Sequence, residues 1–122
     1  MEGIEAAFRA TADPVGARVR VRFEGELDEA TTEVAWSVVE TAAERDGSDI
    51  ELDLSQVTFM SSVGLAVLIR CQSLVEEPRR LVLVEPSPIV RRVLTVTDTA
   101  QLFEIEPPDA APPAGDTVAG AA

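Results

Sequence analysis

Two adjacent serines, Ser61 and Ser62, are the residues of this sequence best placed to do chemistry. They follow an extended segment that ends at Met60 and precede a stretch with helical spacing that begins at Val63. The first N–H groups of a helix lack intrahelical partners and carry the positive end of its dipole. A serine there can cap the helix, or its hydroxyl can carry a phosphate that the helix end stabilises. On residue type alone, capping is the stronger interpretation.

The sequence offers few groups for catalysis. Histidine is absent, which removes Ser-His-Asp and Cys-His arrangements, a histidine general base and nearly every zinc site. The single cysteine, Cys71, falls within a predicted helix and is expected to be a small core residue. Gly25, Gly47 and Gly64 stand alone, so no glycine-rich phosphate loop is formed. We therefore expect a binding protein that is not an enzyme and that needs no cofactor or metal.

The composition predicts a small acidic protein. The 122 residues, 46% of them hydrophobic, suit one domain with one core. The formal net charge is −12, and eleven acidic residues and one arginine lie between Glu24 and Asp53. Such a surface repels phosphate backbones and anionic lipids, so we expect neither nucleic acid nor a membrane as partner. A protein with a basic patch fits better, although solubility alone explains the acidity equally well.

Targeting features are also absent from the sequence. Its start has neither a basic region nor an apolar run, and its longest apolar stretch, Val63 to Ile69, is too short to span a bilayer. One cysteine cannot form an internal disulfide. We expect a cytoplasmic protein.

Strands are predicted where apolar and polar residues alternate. The clearest is Arg18 to Phe23, followed by Ile50 to Leu54, and the continuously apolar Leu81 to Val84 predicts a strand inside a sheet. Weaker strands are predicted around residues 4–10 and 103–105. Val57 and Phe59, which follow the strand that ends at Leu54, are expected to point inward. Asp13 to Gly16 is expected to link the first two strands.

Three helices are predicted between these strands. The first spans Glu29 to Arg45 with Asp28 as N-cap, the second spans Val63 to Glu76, and the third begins at Ser87-Pro88 and runs to about Val96. The first helix is expected to bury one face and to carry a glutamate stripe on the opposite face. Trp36 lies beside that stripe, where it either folds back over its own helix or contacts a partner. The residues of the expected buried face are Val34, Ala35, Val38, Val39 and Ala42.

The resulting order, β-β-α-β-α-β-α-β, predicts an α/β fold. We expect a mixed β-sheet of four to five strands with three helices packed mainly on one face. The domain is expected to span residues 1–106. Residues 107–122, rich in Pro and Ala, are expected to form a disordered tail.

Two separated motifs resemble the signature of STAS-domain anti-sigma factor antagonists. Residues 52–65 contain an Asp-Leu-Ser step, the pair Phe59-Met60, a serine dipeptide and Gly64-Leu65. Residues 25–28, Gly-Glu-Leu-Asp, match the exit from the family's second strand. The resemblance extends from about Ile4 to Ile105 and implies a STAS-like fold.

The resemblance also implies a mechanism and a site. In that family an anti-sigma factor that is also a serine kinase phosphorylates one serine, which corresponds to Ser62, and a PP2C-type phosphatase resets it. Ser61 stands where the family has Asp, which makes Ser61 a second-choice acceptor. The implied partner-binding residues are Asp28, Glu29, Glu33, Trp36, Ser61, Ser62, Val63 and Leu65.

Two other functions also fit the sequence. The first is a constitutive, non-switched STAS scaffold or accessory subunit of a signalling or transport complex, for which the substitution at Ser61 is the motivation. The second is an unrecognised domain that binds a small molecule or has an enzymatic activity.

Overall fold

The computed structural model describes residues 8–45 and 47–106. Helices and strands alternate along the chain in the predicted order. The strands are β1 (Phe8–Val15), β2 (Arg18–Leu27), β3 (Asp49–Met60), β4 (Leu81–Val84) and β5 (Glu104–Glu106). The helices are α1 (Thr32–Ala43), α2 (Ser62–Cys71) and α3 (Pro88–Val96), with short 3-10 turns at Gln72–Leu74 and Ala100–Leu102. Residues 4–7 of the predicted first strand and the predicted tail lie outside the described residues.

The five strands form one mixed sheet in the order β1-β2-β3-β4-β5. β1 is antiparallel to β2, and the other neighbouring pairs are parallel. The carboxyl ends of β2 to β5 therefore meet at one edge of the sheet, where binding sites of open α/β sheets form. Both signature segments leave the sheet at this edge.

All three helices contribute to one core against a single face of the sheet. Apolar side chains of β2, β3 and β4 point toward it, and the fully buried set includes Val21, Phe23, Leu52 and Leu83. Their register makes them neighbours across the strands, as with Val21 and Leu52. This confirms the predicted α/β class, a five-stranded mixed sheet and helices on one face.

The opposite face of the sheet, on which none of the described helices packs, is the helix-free face, and it carries charged side chains. Glu51 and Asp53 are buried there, at 6% and 3% exposure, because arginines of β2 pair with them. Glu51 accepts from Arg18 at 2.7 Å and from Arg20 at 2.8 Å, and Asp53 accepts from Arg22 at 3.3 Å. The acidic run seen in the sequence is therefore partly neutralised inside the fold.

The link between the first two strands differs from the prediction. β1 continues through Asp13 and Pro14 to Val15, and the turn consists of Gly16 and Ala17 only. Gly16 has φ +62°, a left-handed conformation that glycine adopts without strain. Proline is tolerated at position 14 because β1 is an edge strand, where an N–H can point away from the sheet.

The first two helices are shorter than predicted. Asp28 is not the N-cap of α1: its main-chain oxygen accepts from Thr31 and Thr32, and its carboxylate accepts from the N–H of Ala30 at 3.0 Å. These bonds form a turn before the helix, so α1 begins after Thr31. α2 ends at Cys71 because the next residues tighten into a 3-10 turn. α3 begins at Ser87-Pro88 and ends at Val96, as predicted.

Candidate partner-binding site at the start of α2

The two serines of the signature occupy different environments. Ser61 is the N-cap of α2, and its hydroxyl oxygen accepts a hydrogen bond of 3.1 Å from the N–H of Gly64. Its own N–H donates to the carbonyl of Leu27 at 3.0 Å, so it is held to the end of β2. Ser62 is the first residue of α2 and is exposed. The two serines therefore have different roles in the structure. Ser61 caps α2, and Ser62 is exposed to solvent.

Gly64 brings the start of α2 into direct contact with the end of β2. A Cβ atom at this position would lie 2.3 Å from the carbonyl oxygen of Leu27, a separation that no side chain can adopt. This contact joins the two signature segments, residues 25–28 and 52–65, into one structural unit. Leu65, which we expected at the partner surface, is only 7% exposed and belongs to the core, so it cannot make direct contact with a partner.

Phe59 is an exposed aromatic residue beside the serines, and its position differs from the prediction. We expected Val57 and Phe59 both to point inward, but Val57 is 2% exposed and Phe59 is 46% exposed. The register of β2 against β3 shifts near Gly25, whose φ is +106°, and these irregularities break strict alternation along β3. Phe59 and Val63, the latter 38% exposed, therefore flank the serines with apolar surface.

Acidic residues adjoin this surface because β2 and β3 are neighbours that end at the same edge. Glu29 and Glu33 are exposed, whereas Asp28 is half-buried by the turn that it forms. The structure thus places Asp28, Glu29 and Glu33 at the same edge of the sheet as Ser61 and Ser62.

Trp36 lies between α1 and α2. It is half-buried and packs against the core, and the guanidinium of Arg70 lies 4.5 Å from its ring centre. Trp36 is therefore held within the fold between the two helices, and its contact with a partner stays a prediction. Trp36 lines a groove with Thr32, Glu33, Val67 and Arg70. Arg70 could not be identified from the sequence, because its contact with Trp36 depends on how the two helices cross.

Val34 is exposed, although we expected it in the core. The buried side of α1 is a narrower stripe of Ala35, Val39 and Ala42, and Val34 is 51% exposed. Successive helical residues are rotated by about 100°, so Val34 and Trp36 lie on nearly opposite sides of α1. Val34 therefore points away from α2.

Other chemistry finds little support in the described part of the chain. Burial raises the pKa of the Cys71 thiol to about 12, so this thiol is not a nucleophile at neutral pH. Across residues 8–45 and 47–106, no group of three or more His, Cys, Asp or Glu side chains is arranged to hold a metal ion. None of the described helices is both long enough and apolar enough to cross a membrane.

Comparison with known proteins identifies the family. The model of the STAS domain of the Mlab type matches residues 10–104, and the chain belongs to this family. Its fold is similar to that of an anti-sigma factor antagonist from Mycobacterium paratuberculosis, with TM-score 0.75 and 23% identity over 86% of this chain and 92% of that one.

A second similar protein has been solved in two states. The anti-sigma factor antagonist SpoIIAA in its unphosphorylated form has TM-score 0.63 and 25% identity over 83% of this chain and 90% of that one. The phosphorylated form of SpoIIAA, from Bacillus, has TM-score 0.59 and 23% identity over 84% and 94% of the two chains. The chain is thus a STAS domain that resembles anti-sigma factor antagonists.

Proposed function

We propose that this protein is an anti-sigma factor antagonist that binds an anti-sigma factor with serine kinase activity and so regulates transcription. The observation that carries the proposal is the exposed Ser62, first residue of α2, beside a Ser61 whose hydroxyl is used as the cap. Membership of the STAS family and similarity to SpoIIAA support it. The docking surface would comprise Phe59, Ser62 and Val63 with the adjoining Asp28, Glu29, Glu33 and Trp36.

Phosphorylation of Ser62 is proposed as the switch. A phosphoserine carries close to two negative charges at pH 7. The N-terminus of α2 accommodates that charge through its dipole, so the domain need not refold. A docked partner would meet the phosphate beside Glu29 and Glu33, which are already negative. A repulsion of about 3 kcal/mol lowers affinity more than a hundredfold.

Ser61 is the less suitable acceptor. Its oxygen accepts from Gly64 and its backbone is bonded to Leu27, so transfer of a phosphate to it would require the helix start to open. Ser61 replaces the carboxylate that the family carries at this position, and a hydroxyl caps the helix by the same hydrogen bond. We therefore propose Ser62 as the modified residue and a PP2C-type phosphatase as the enzyme that resets it.

The test is phosphate mapping by mass spectrometry after incubation with the cognate kinase and ATP. We expect one phosphate, on Ser62, and none on the Ser62→Ala variant. Ser62→Ala should still bind the anti-sigma factor, whereas Ser62→Asp should bind more weakly. Labelling of neither serine would overturn the switch but leave the binding function intact.

A second candidate function is favoured by one observation. Ser61 departs from the family's Asp, and a relative that is never phosphorylated can tolerate that change. The protein would then be a constitutive scaffold or accessory subunit of a signalling or transport complex. Equal affinity of the Ser62→Ala and Ser62→Asp variants for the partner protein would establish this alternative and exclude the switch.

A further inference from the structure

We propose that this protein forms a two-fold symmetric dimer through the outer edge of β1, so that the sheet continues from one copy to the other. β1 is eight residues long and lies at the end of the sheet, and no described residue pairs with its outer edge. A long exposed edge strand is a template for pairing with another chain. The opposite edge, β5, has three residues and offers far less.

The hairpin geometry determines which backbone groups of β1 point outward. Val15 and Arg18 are partners across the two-residue turn, so they exchange backbone hydrogen bonds. In an antiparallel pair the direction alternates from residue to residue. Thr11 and Asp13 therefore bond to β2, whereas Ala10 and Ala12 direct N–H and C=O groups away from the sheet. Pro14 is also an outward position, where its missing N–H breaks no bond with β2.

One antiparallel register between two copies satisfies both the backbone and the charges. When Ala10 of one copy bonds to Ala12 of the second copy, each Arg9 lies opposite the Asp13 of the other chain. Both side chains lie on the helix-free face of the sheet, and cross-strand pairs of opposite charge are stabilising. A shift by two residues loses both charge pairs. A shift by four residues places Asp13 opposite Asp13 or Arg9 opposite Arg9.

The charged residues inside each copy continue the row of charge pairs that crosses the interface. Arg9 is the register partner of Glu24, and Asp13 is the register partner of Arg20, which pairs in turn with Glu51. Across the interface the row would read Glu24, Arg9, then Asp13, Arg20 and Glu51 of the second copy. The signs alternate at every step, so the dimer extends the ion-pair arrangement that already stabilises the helix-free face.

The helix side of the sheet supplies a second, independent observation. α1 packs on β1 and β2, and α2 lies on the side of α1 toward β3. Val34, opposite Trp36 on α1, therefore points toward the free edge of the sheet. A second copy across β1 would bring its own α1 to this side and cover both Val34 side chains. The glutamates on the outer side of α1 would stay in solvent.

The dimer goes beyond the proposed function and leaves its site free, because the start of α2 lies over the other side of β2. Its symmetry is closed, with each copy using the same surface. The net charge of −12 on each copy opposes association, so we expect a reversible dimer that forms at high protein concentration in physiological salt.

The test is sedimentation equilibrium with two single charge reversals, Arg9→Asp and Asp13→Arg. The wild type should approach twice its mass of 13.0 kDa as its concentration rises. In a dimer of either variant, like charges lie opposite each other at two places. The dissociation constant of the dimer should therefore rise about tenfold or more. An equimolar mixture restores both pairs and should dimerise as the wild type does. Because mixing leaves each fold unchanged, recovery separates the interface from folding.

Ala12→Pro tests the backbone contact, since the N–H of residue 12 points outward and its loss spares the pairing with β2. We expect a folded monomer by circular dichroism and sedimentation. A wild type that stays monomeric up to about millimolar concentration would overturn the proposal, since a Kd weaker than that is not a specific interface. A wild-type dimer unaffected by either charge reversal or by Ala12→Pro would also overturn it.

Discussion

At the scale of single residues, the site depends on two serine hydroxyls that are neighbours in the chain but lie in different surroundings. Ser61 satisfies the N–H of Gly64 and is tied to Leu27, whereas Ser62 has entered the helix and faces outward. A modification of the Ser62 hydroxyl would therefore leave the N-cap hydrogen bond of Ser61 in place. Because of this difference, we expect the two serines to contribute unequally to the stability of the fold.

Ser61→Ala should lower the free energy of unfolding by about 1 kcal/mol, because it removes the N-cap hydrogen bond. Ser62→Ala should change it by less than about 0.5 kcal/mol, since an exposed side chain is replaced by a good helix former. Urea unfolding followed by circular dichroism measures both values under one condition. Equal losses for the two variants would show that Ser61 does not cap α2.

Gly64→Ala should destabilise the fold by about 3 kcal/mol, because the added Cβ meets the carbonyl of Leu27 and must push α2 away from β2. Ala66→Ser is the matched control, an exposed position on the same helix where little should change. Thermal unfolding of both variants decides the matter. A Gly64→Ala protein as stable as the control would mean that α2 does not approach β2 this closely.

At the scale of secondary-structure elements, ion pairs connect the strands on the helix-free face. Burial alone would raise the pKa of Glu51, but hydrogen bonds from Arg18 and Arg20 outweigh it and hold the pKa below its ordinary value. Arg18 also reaches Glu106 of β5 at 3.1 Å, across two intervening strands. Val82 lies on this face and is fully buried. The ion pairs thus shield apolar surface that none of the three described helices covers.

Glu51→Gln should cost about 1–3 kcal/mol at pH 7, since Arg18 and Arg20 lose a charged acceptor. The folded pKa of Glu51 is lowered, so its stabilisation is present above the ordinary pKa of about 4.3 and is lost as pH falls through the folded value. The stability gap between wild type and variant should therefore narrow in acid. Urea midpoints from pH 7 to 3 measure this gap, and a gap that stays constant would contradict the assignment.

Much of the fold could be predicted at this scale, because each element leaves a period in the sequence. Alternation predicted β2 and β3, and the serine-proline start predicted α3. Phe59 and Val34 escaped prediction for physical reasons: a register shift against β2 turns Phe59 outward, and the small Ala35 and Ala42 let α1 approach the sheet on a narrow stripe. Neither a bulge nor a helix crossing angle leaves a regular period.

The candidate site could be predicted only in part. The segments were identifiable by their resemblance to a family, and Ser61 and Ser62 lie at the start of α2. The burial of Leu65 and the stacking of Arg70 on Trp36 could not be predicted, because both follow from contacts between elements distant in sequence.

At the scale of the whole molecule, the acidic charge is distributed unevenly. Glu51 and Asp53 are buried against arginines, so they contribute little to the outer field. The exposed glutamates of α1, such as Glu33 and Glu40, form a negative surface on the outside of the fold. Charges of this kind govern the rate of encounter more than the final affinity.

The association rate with the anti-sigma factor should therefore fall by about tenfold or more as salt rises from low to high concentration, because screening shortens the reach of the α1 field. The double variant Glu33→Gln and Glu40→Gln should associate more slowly at low salt and show a shallower salt dependence. The double variant Glu76→Gln and Glu77→Gln is the control, an equal loss of two exposed charges beyond the far end of α2. Stopped-flow fluorescence of Trp36 reports the encounter. Rates that are independent of salt, or equal changes in double variant and control, would show that α1 does not guide the partner and that its acidity serves solubility alone.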